Sequence, residues 1–158
     1  LKSGLSNEEQ HLRNFLYHAI YVAPGDPPPK RDIINEPHLA SYYKDWGKKD
    51  DQALFALNEN HVVGACWSRI FPEANPGYGT IHPNIPELSL AVLPEYRGKG
   101  IGTKFMERFF DGRLFRYAAV SLSVHEANPA IRLYQRFGFK NFEKKGQSVI
   151  MIKRLDQG

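Results

Sequence analysis

The stretch Leu88-Ser-Leu-Ala-Val-Leu-Pro-Glu-Tyr-Arg-Gly-Lys-Gly-Ile-Gly102 runs from an apolar strand pattern into a glycine-rich basic turn and then into a helical pattern. The N-terminus of a helix attracts anions because it carries unpaired amides and a partial positive charge, and glycines let an anion approach the backbone closely. We therefore predict that residues 97–103 form a pyrophosphate-binding turn, to which Arg97 and Lys99 add positive charge.

Two other phosphate motifs do not fit this turn. Gly98 to Gly102 lacks the glycine spacing of the dinucleotide fingerprint, and no Gly-Lys-Ser/Thr follows it to form a P-loop. The pattern that fits is Arg/Gln-x-x-Gly-x-Gly/Ala, here Arg97 to Gly102, after a strand that ends in Leu-Ala-Val. In this pattern the chain resembles the GNAT superfamily of acetyl-CoA-dependent N-acetyltransferases.

A second segment carries the same resemblance. A strand pattern from Ala119 to His125 is followed by Asn128-Pro-Ala-Ile-Arg-Leu-Tyr134 and by Gly-Phe at 138–139. This arrangement is similar to the second cofactor segment of the superfamily. The order and separation of the two segments make the joint match more specific than either segment alone.

The resemblance implies a set of residues that bind acetyl-CoA. The backbone of about Leu90 to Val92 would face the pantetheine arm and the acetyl oxygen, and Asn128 would cap its helix and also reach the cofactor. Tyr134 would lie near the CoA sulfur as the general acid. The cofactor-binding residues expected in this way are Leu90, Ala91, Val92, Arg97, Gly98, Lys99, Gly100, Ile101, Gly102, Thr103 and Asn128.

Glu87 is the expected general base, because relatives often carry a glutamate at the head of this strand. The family glutamate often stands one residue earlier, where this chain has Pro86. Strict alternation would place Glu87 on one face of the strand with Ser89 and Ala91, and Leu88, Leu90 and Val92 on the other. His82, His125 and water are the alternatives for the proton acceptor.

A covalent mechanism through Cys66 is disfavoured, because no residue pattern pairs this single cysteine with a base. Five aromatic residues are candidates for an acceptor pocket, although most aromatic residues simply pack: Trp46, Trp67, Tyr42, Tyr43 and Tyr78. No group of histidine, cysteine, aspartate and glutamate has the spacing of metal ligands, so we expect no metal.

Composition limits the number of domains and the classes of partner and cellular location that the chain could have. The chain has 158 residues, 42% of them hydrophobic, which fits a single domain spanning 1–158. The net charge of +4 is dispersed among acids, so a nucleic-acid partner is not expected. A single cysteine excludes an internal disulfide, and no apolar run is long enough to span a membrane, so we expect a cytoplasmic protein.

The periodicity predicts a mixed sheet with helices on both faces. The resemblance implies a GNAT-like α/β fold of the α+β type: a mixed, mostly antiparallel sheet of about six to seven strands flanked by about four helices. A first strand normally opens this family's fold, and only Leu1 and Lys2 stand where it would end. Helices are predicted at about 6–21, 36–46, 100–110 and 128–137, and strands at 52–57, 61–71, 87–93, 118–125, 139–144 and 148–155.

The resemblance implies transfer of an acetyl group from acetyl-CoA directly to a primary amine of a small molecule or peptide. The alternative is an acyl-CoA-binding sensor without turnover, since the phosphate turn is a stronger signal than the catalytic residues. The acceptor is left open, and its choice is expected to lie in residues 21–37, 72–86 and 144–148. A homodimer is expected at the level of the family.

Overall fold

The computed structural model describes residues 1–112 and 114–155, which form one sheet with helices on both faces. The strands are β1 Gln52–Asn58, β2 His61–Arg69, β3 Glu87–Val92, β4 Ala119–His125, β5 Lys140–Lys145 and β6 Ser148–Arg154. The helices are α1 Glu8–Ala19, α2 Pro37–Ala40, α3 Ile101–Phe109 and α4 Ala130–Arg136, with 3-10 turns at Arg31–Asn35 and Pro94–Tyr96. The predicted fold class is confirmed.

The strand order in the sheet is β1-β2-β3-β4-β6-β5. Neighbouring strands are antiparallel except for β3 and β4, which run parallel in the centre. A parallel pair needs a crossover connection, and α3 supplies it here. The turn that precedes α3 is thereby brought to the carboxyl end of β3, in the middle of the molecule.

Two cores fill the space on either side of the sheet. One contains Phe105, Met106 and Phe109 of α3, whose spacing in the sequence predicts an apolar stripe on this helix, and the stripe is confirmed. The other contains Leu12, Phe15 and Leu16 of α1, packed on residues of β1 and β2. The alternation predicted for β3 is also confirmed, because Leu88 belongs to the α3 core and Ala91 to the α1 core.

The predicted helix over 36–46 is wrong in its length, because α2 ends at Ala40. The Arg69 guanidinium donates hydrogen bonds to the carbonyls of Ser41, Lys44 and Asp45, at 3.0, 2.6 and 3.1 Å. Those carbonyls therefore bond to a side chain from β2 instead of to amides further along a helix. The chain turns instead, and Asp45 takes a left-handed conformation with φ of 57°.

At the N-terminus, Lys2 forms a bridge with Phe55 through two backbone hydrogen bonds of 2.8 Å. The bridge lies on the outer edge of β1, and the first strand of the family stays a prediction. Helix α1 begins two residues later than predicted, after Asn7 in a left-handed conformation. Among the described residues, no helix combines the length and apolarity that crossing a bilayer requires.

Candidate active site

The central parallel pair of strands opens into a cleft. Strand β3 pairs with β2 over its whole length, from Val92 opposite Gly64 to Glu87 opposite Arg69. Between β3 and β4, the described residues pair only at Glu87, which lies opposite Ser121. Beyond that point the strands diverge, and a cleft of about 1050 Å³ passes between them. This volume slightly exceeds the usual range for ligand pockets, about 300–1,000 Å³.

Most of the residues predicted from the sequence line this cleft. They are Glu87, Leu90, Ala91, Val92, Arg97, Gly98, Gly100, Ile101, Gly102, Thr103, Asn128 and Tyr134. Lys99 is not among the lining residues: it is exposed, and its Nζ lies 5.4 Å from the centre of the Tyr96 ring. The turn therefore presents backbone and Arg97 to the cleft, while Lys99 contributes only a distant charge.

The start of α3 has the geometry of an anion site. Gly98 and Gly100 have φ values of +74° and +82°, a conformation that favours glycine. A Cβ at either position would meet no atom within 4 Å, so an anion could approach the backbone. The first helical bond of this turn runs from the Lys104 amide to the Gly100 carbonyl, so the amides of residues 101–103 precede the helical ladder. The phosphates of a CoA ester fit these donors.

Arg97 ties the turn to its surroundings. Its Nε donates to the Val92 carbonyl at 2.9 Å, and its NH2 group donates to the His18 carbonyl at 3.1 Å. The guanidinium therefore joins the end of β3 to the end of α1. The resemblance implies that the Val92 carbonyl faces the pantetheine arm. In this structure that carbonyl accepts a hydrogen bond from Arg97.

The start of α4 forms the opposite wall of the cleft. Asn128 Oδ1 accepts a hydrogen bond from the Ala130 amide at 2.9 Å, so Asn128 caps this helix while it also lines the cleft. Arg136 was not predicted from the sequence. Its guanidinium donates to Thr103 Oγ1 at 3.3 Å, and it adds a second cation at the same end of the cleft.

Tyr134 lies between α4 and the sheet, in the core on the α3 side. It is buried and reaches the cleft, and its ring contacts Phe139 edge to face at 5.7 Å. Burial raises the pKa of the Tyr134 phenol above its ordinary value, with a smaller contribution from Cys66. The phenol is therefore protonated at neutral pH and is available as a proton donor.

Glu87 lies on the other side of the sheet, at the point where β3 and β4 separate. Its side chain is only 4% exposed, and its carboxylate accepts hydrogen bonds from the Tyr42 hydroxyl at 2.5 Å and the Gly79 amide at 3.1 Å. Thr80 Oγ1 is a third donor at 3.3 Å. Burial raises the pKa of Glu87 to about 7, although these three hydrogen bonds act in the opposite direction. A group with this pKa exchanges protons efficiently near neutral pH.

Tyr42 acquires a specific role that the sequence did not indicate. Its hydroxyl donates to Glu87 and accepts from the Tyr78 amide at 2.8 Å. Burial and the neighbouring Glu87 carboxylate raise the pKa of Tyr42 well above its ordinary value, so the phenol stays protonated. At residue 77 a Cβ would overlap the Glu87 carboxylate and lie 2.8 Å from the Tyr42 hydroxyl. Gly77 therefore leaves the space that this hydrogen bond occupies.

The alternative bases and the cysteine have different surroundings. His82 is exposed, and its Nδ1 accepts a hydrogen bond from the Asn84 amide at 3.1 Å. His125 lines the cleft, but its Nδ1 accepts from the Ala127 amide at 3.0 Å. Cys66 is fully buried, and burial raises the pKa of its thiol, which disfavours the thiolate that a covalent intermediate needs. Glu87 is the buried carboxylate that faces the cleft.

A comparison with protein families identifies the chain. The model of the acetyltransferase (GNAT) family matches residues 16–139. The chain belongs to this GNAT family. The resemblance inferred from Arg97 to Gly102 and from Asn128 to Tyr134 is thereby confirmed, and both segments lie inside the matched range.

Three similar proteins illustrate the range of GNAT relatives. An N-alpha-acetyltransferase of Saccharolobus solfataricus is 37% identical over 95 residues, which are 54% of this chain and 54% of that protein. A spermine/spermidine N(1)-acetyltransferase of Bacillus subtilis is 39% identical over 66 residues, 38% of this chain and 43% of that protein. The chain thus spans about half the length of the curated relatives it matches.

The structure of the PaiA N-acetyltransferase from Thermoplasma acidophilum, in complex with coenzyme A, superposes with a TM-score of 0.58. The two chains are 21% identical, and the alignment covers 92% of this chain and 89% of the PaiA chain. The two proteins therefore share a fold. Among the residues described here, no group of three or more metal-ligating side chains is assembled.

Proposed function

We propose that this GNAT protein is an N-acetyltransferase that uses acetyl-CoA and transfers the acetyl group directly to a primary amine. The observation that carries the proposal is the cleft between β3 and β4. It joins the glycine-rich start of α3 on one side of the sheet to a buried glutamate with a pKa of about 7 on the other. A sensor that only binds an acyl-CoA needs the first of these features, whereas proton transfer from an amine also uses the second.

The residues divide the chemistry between them. Acetyl-CoA, when bound, supplies an activated thioester carbonyl. The amides at the start of α3, with Arg97 and Arg136 nearby, hold its phosphates at one end of the cleft. Glu87 accepts the proton that the acceptor nitrogen loses as the new carbon–nitrogen bond forms, and Tyr134 protonates the sulfur as the carbon–sulfur bond breaks. No covalent enzyme intermediate is needed, in agreement with the buried Cys66.

The proposal is tested by calorimetric titration of the protein with acetyl-CoA, followed by an assay of thiol release with a panel of primary amines. Saturable binding and amine-dependent thiol release are the expected results. Binding without thiol release for any amine would favour the sensor, and an absence of binding would contradict the assignment of residues 97–103. A homodimer and a cytoplasmic location stay predictions from the sequence.

Gly100→Asp should weaken acetyl-CoA binding by roughly tenfold to a hundredfold, because a carboxylate would replace open space at the N-terminus of α3. The measurement is the dissociation constant from the same titration. Gly112→Asp is the matched control: Gly112 also has a positive φ, +93°, and open space around its Cβ position, but it does not line the cleft. Equal affinities of the two variants would contradict the anion site.

Tyr42→Phe should move the rising limb of kcat/KM against pH to higher pH. The Tyr42 hydroxyl stabilises the ionised carboxylate, so its loss raises the pKa of Glu87 further above 7. Activity should therefore fall at pH 7 and recover largely at higher pH. A loss of activity that is uniform at all pH values would instead indicate a purely structural role for Tyr42.

A further inference from the structure

We propose that the acceptor is a monoamine whose single ammonium group is attached to an apolar or aromatic group, and that polyamines are poor acceptors. The inference rests on the proposed acetyltransferase function and specifies its substrate class. It concerns the part of the cleft on the Glu87 side of the sheet, which we call the acceptor arm. Of the residues that line the cleft, we assign six to this arm, Val22, Pro28, Leu39, Tyr42, Tyr78 and His125, and strand parity adds the small polar side chains of Ser89 and Ser123.

The acceptor arm is continuous with the base. Tyr42 and Tyr78 both belong to the hydrogen-bond network of Glu87. His125 has the same strand parity as Ser121, which lies directly opposite Glu87 in the parallel pair. Substrate groups that extend along the cleft from an amine at Glu87 therefore face these walls.

The cleft offers one carboxylate for an ammonium group. Among the described residues that line the cleft, Glu87 is the one carboxylate, while Arg97 and Arg136 carry positive charges. An amine that is poised for acetylation uses Glu87. Any further ammonium group of a polyamine would then find no second carboxylate among the described residues that line the cleft, which is unfavourable for a charge placed there.

The walls instead suit a ring or another compact apolar group. The Tyr42 and Tyr78 rings are nearly parallel, with centroids 6.3 Å apart and an interplanar angle of 15°. Across the arm, Tyr21 and His125 form another ring pair at 4.8 Å. Tyr78 is 56% exposed and Val22 is 38% exposed, so two large apolar side chains face solvent at this site. Exposed apolar side chains that line a cleft are typical of a ligand-binding wall.

The proline-rich wall of the arm is held in place before any substrate binds. The Tyr17 hydroxyl donates to the Pro29 carbonyl at 2.6 Å, and the Arg31 guanidinium lies 4.4 Å from the centre of the Tyr17 ring. Prolines at 27–29 restrict the backbone further. A preformed apolar wall favours a substrate that matches it, because little ordering is needed on binding.

The test compares kcat/KM of the full chain for 2-phenylethylamine, ethylamine and spermidine at saturating acetyl-CoA. We expect 2-phenylethylamine to exceed each of the others by about tenfold or more, since ethylamine lacks the ring and spermidine adds charge. Spermidine as the equal or better acceptor would overturn the substrate class and leave the acetyltransferase intact. Thiol release with none of the amines would overturn both proposals.

A carboxylate placed on the wall should shift this preference. Val22→Asp should raise kcat/KM for spermidine relative to 2-phenylethylamine by about two- to fivefold, as expected of an exposed ion pair. Leu57→Asp is the matched control, because Leu57 is 37% exposed, undergoes the same charge change and lies outside the cleft. An equal ratio in both variants would count against the acceptor arm as the substrate-binding surface.

Discussion

Glu87→Gln should lower kcat/KM by about 100-fold or more, because the variant cannot accept the proton that the amine loses. It should also remove the rise of kcat/KM with a midpoint near pH 7, which we assign to ionisation of Glu87. The increase in kcat/KM that comes from deprotonation of the acceptor amine itself should persist at higher pH. The measurement is kcat/KM between pH 5 and pH 9, with the exposed Glu107→Gln as the control. A limb near pH 7 that survives in the Gln variant would point to His82, His125 or water.

The same substitution should alter the pH dependence of stability. The pKa of Glu87 is about 7 in the folded protein and about 4.5 when it is solvated, so the folded state binds more protons between these values. The contribution of Glu87 to the free energy of unfolding is therefore fully present below pH 4.5 and is lost as the pH rises through 7. Glu87→Gln should abolish this decline. Denaturant unfolding at pH 5 and pH 8 checks the result without any substrate.

Tyr134→Phe should lower kcat by about 100-fold and leave the dissociation constant of acetyl-CoA within about twofold. The phenol is protonated near neutral pH and reaches the cleft from the α4 side, so its expected role is to protonate the leaving sulfur. The ring itself packs in the core and is retained in phenylalanine. The measurements are steady-state kinetics and calorimetric titration of the same preparation.

Tyr43→Phe is the matched control for this variant. Tyr43 is also buried, but its hydroxyl donates to the Ile34 carbonyl at 3.0 Å and it does not line the cleft. This variant should lose stability and keep kcat. A similar fall in kcat for both variants would show that loss of a buried hydroxyl, and not proton donation, explains the effect of Tyr134→Phe.

Much of the fold could be predicted from the sequence because its strongest patterns are local. The alternation in β3 and the apolar stripe of α3 each depend on residues within one element, and both were confirmed. The helix predicted over 36–46 was wrong for a reason that no local pattern contains. The guanidinium that captures its carbonyls belongs to Arg69, 25 residues beyond Lys44 in the chain.

The candidate site, like the fold, has one part that local motifs predict and another that depends on contacts between distant residues. The glycine turn and Tyr134 lie in contiguous motifs, and the structure brings them to one cleft. The role of Tyr42 could not be predicted, because its partner Glu87 is 45 residues away and the contact depends on how two loops fold. Gly77 offered a weak signal, since it stands beside Tyr78 in a loop rich in proline, but nothing in the sequence shows which side chain fills its space.

The sheet consists of two three-stranded antiparallel halves, β1-β2-β3 and β4-β6-β5, whose described backbone junction is the pair Glu87 and Ser121. Because this pair joins the halves, any spreading of β3 from β4 would displace the strands more with increasing distance from it. The carboxylate is thus attached at the pivot, where such breathing moves it least.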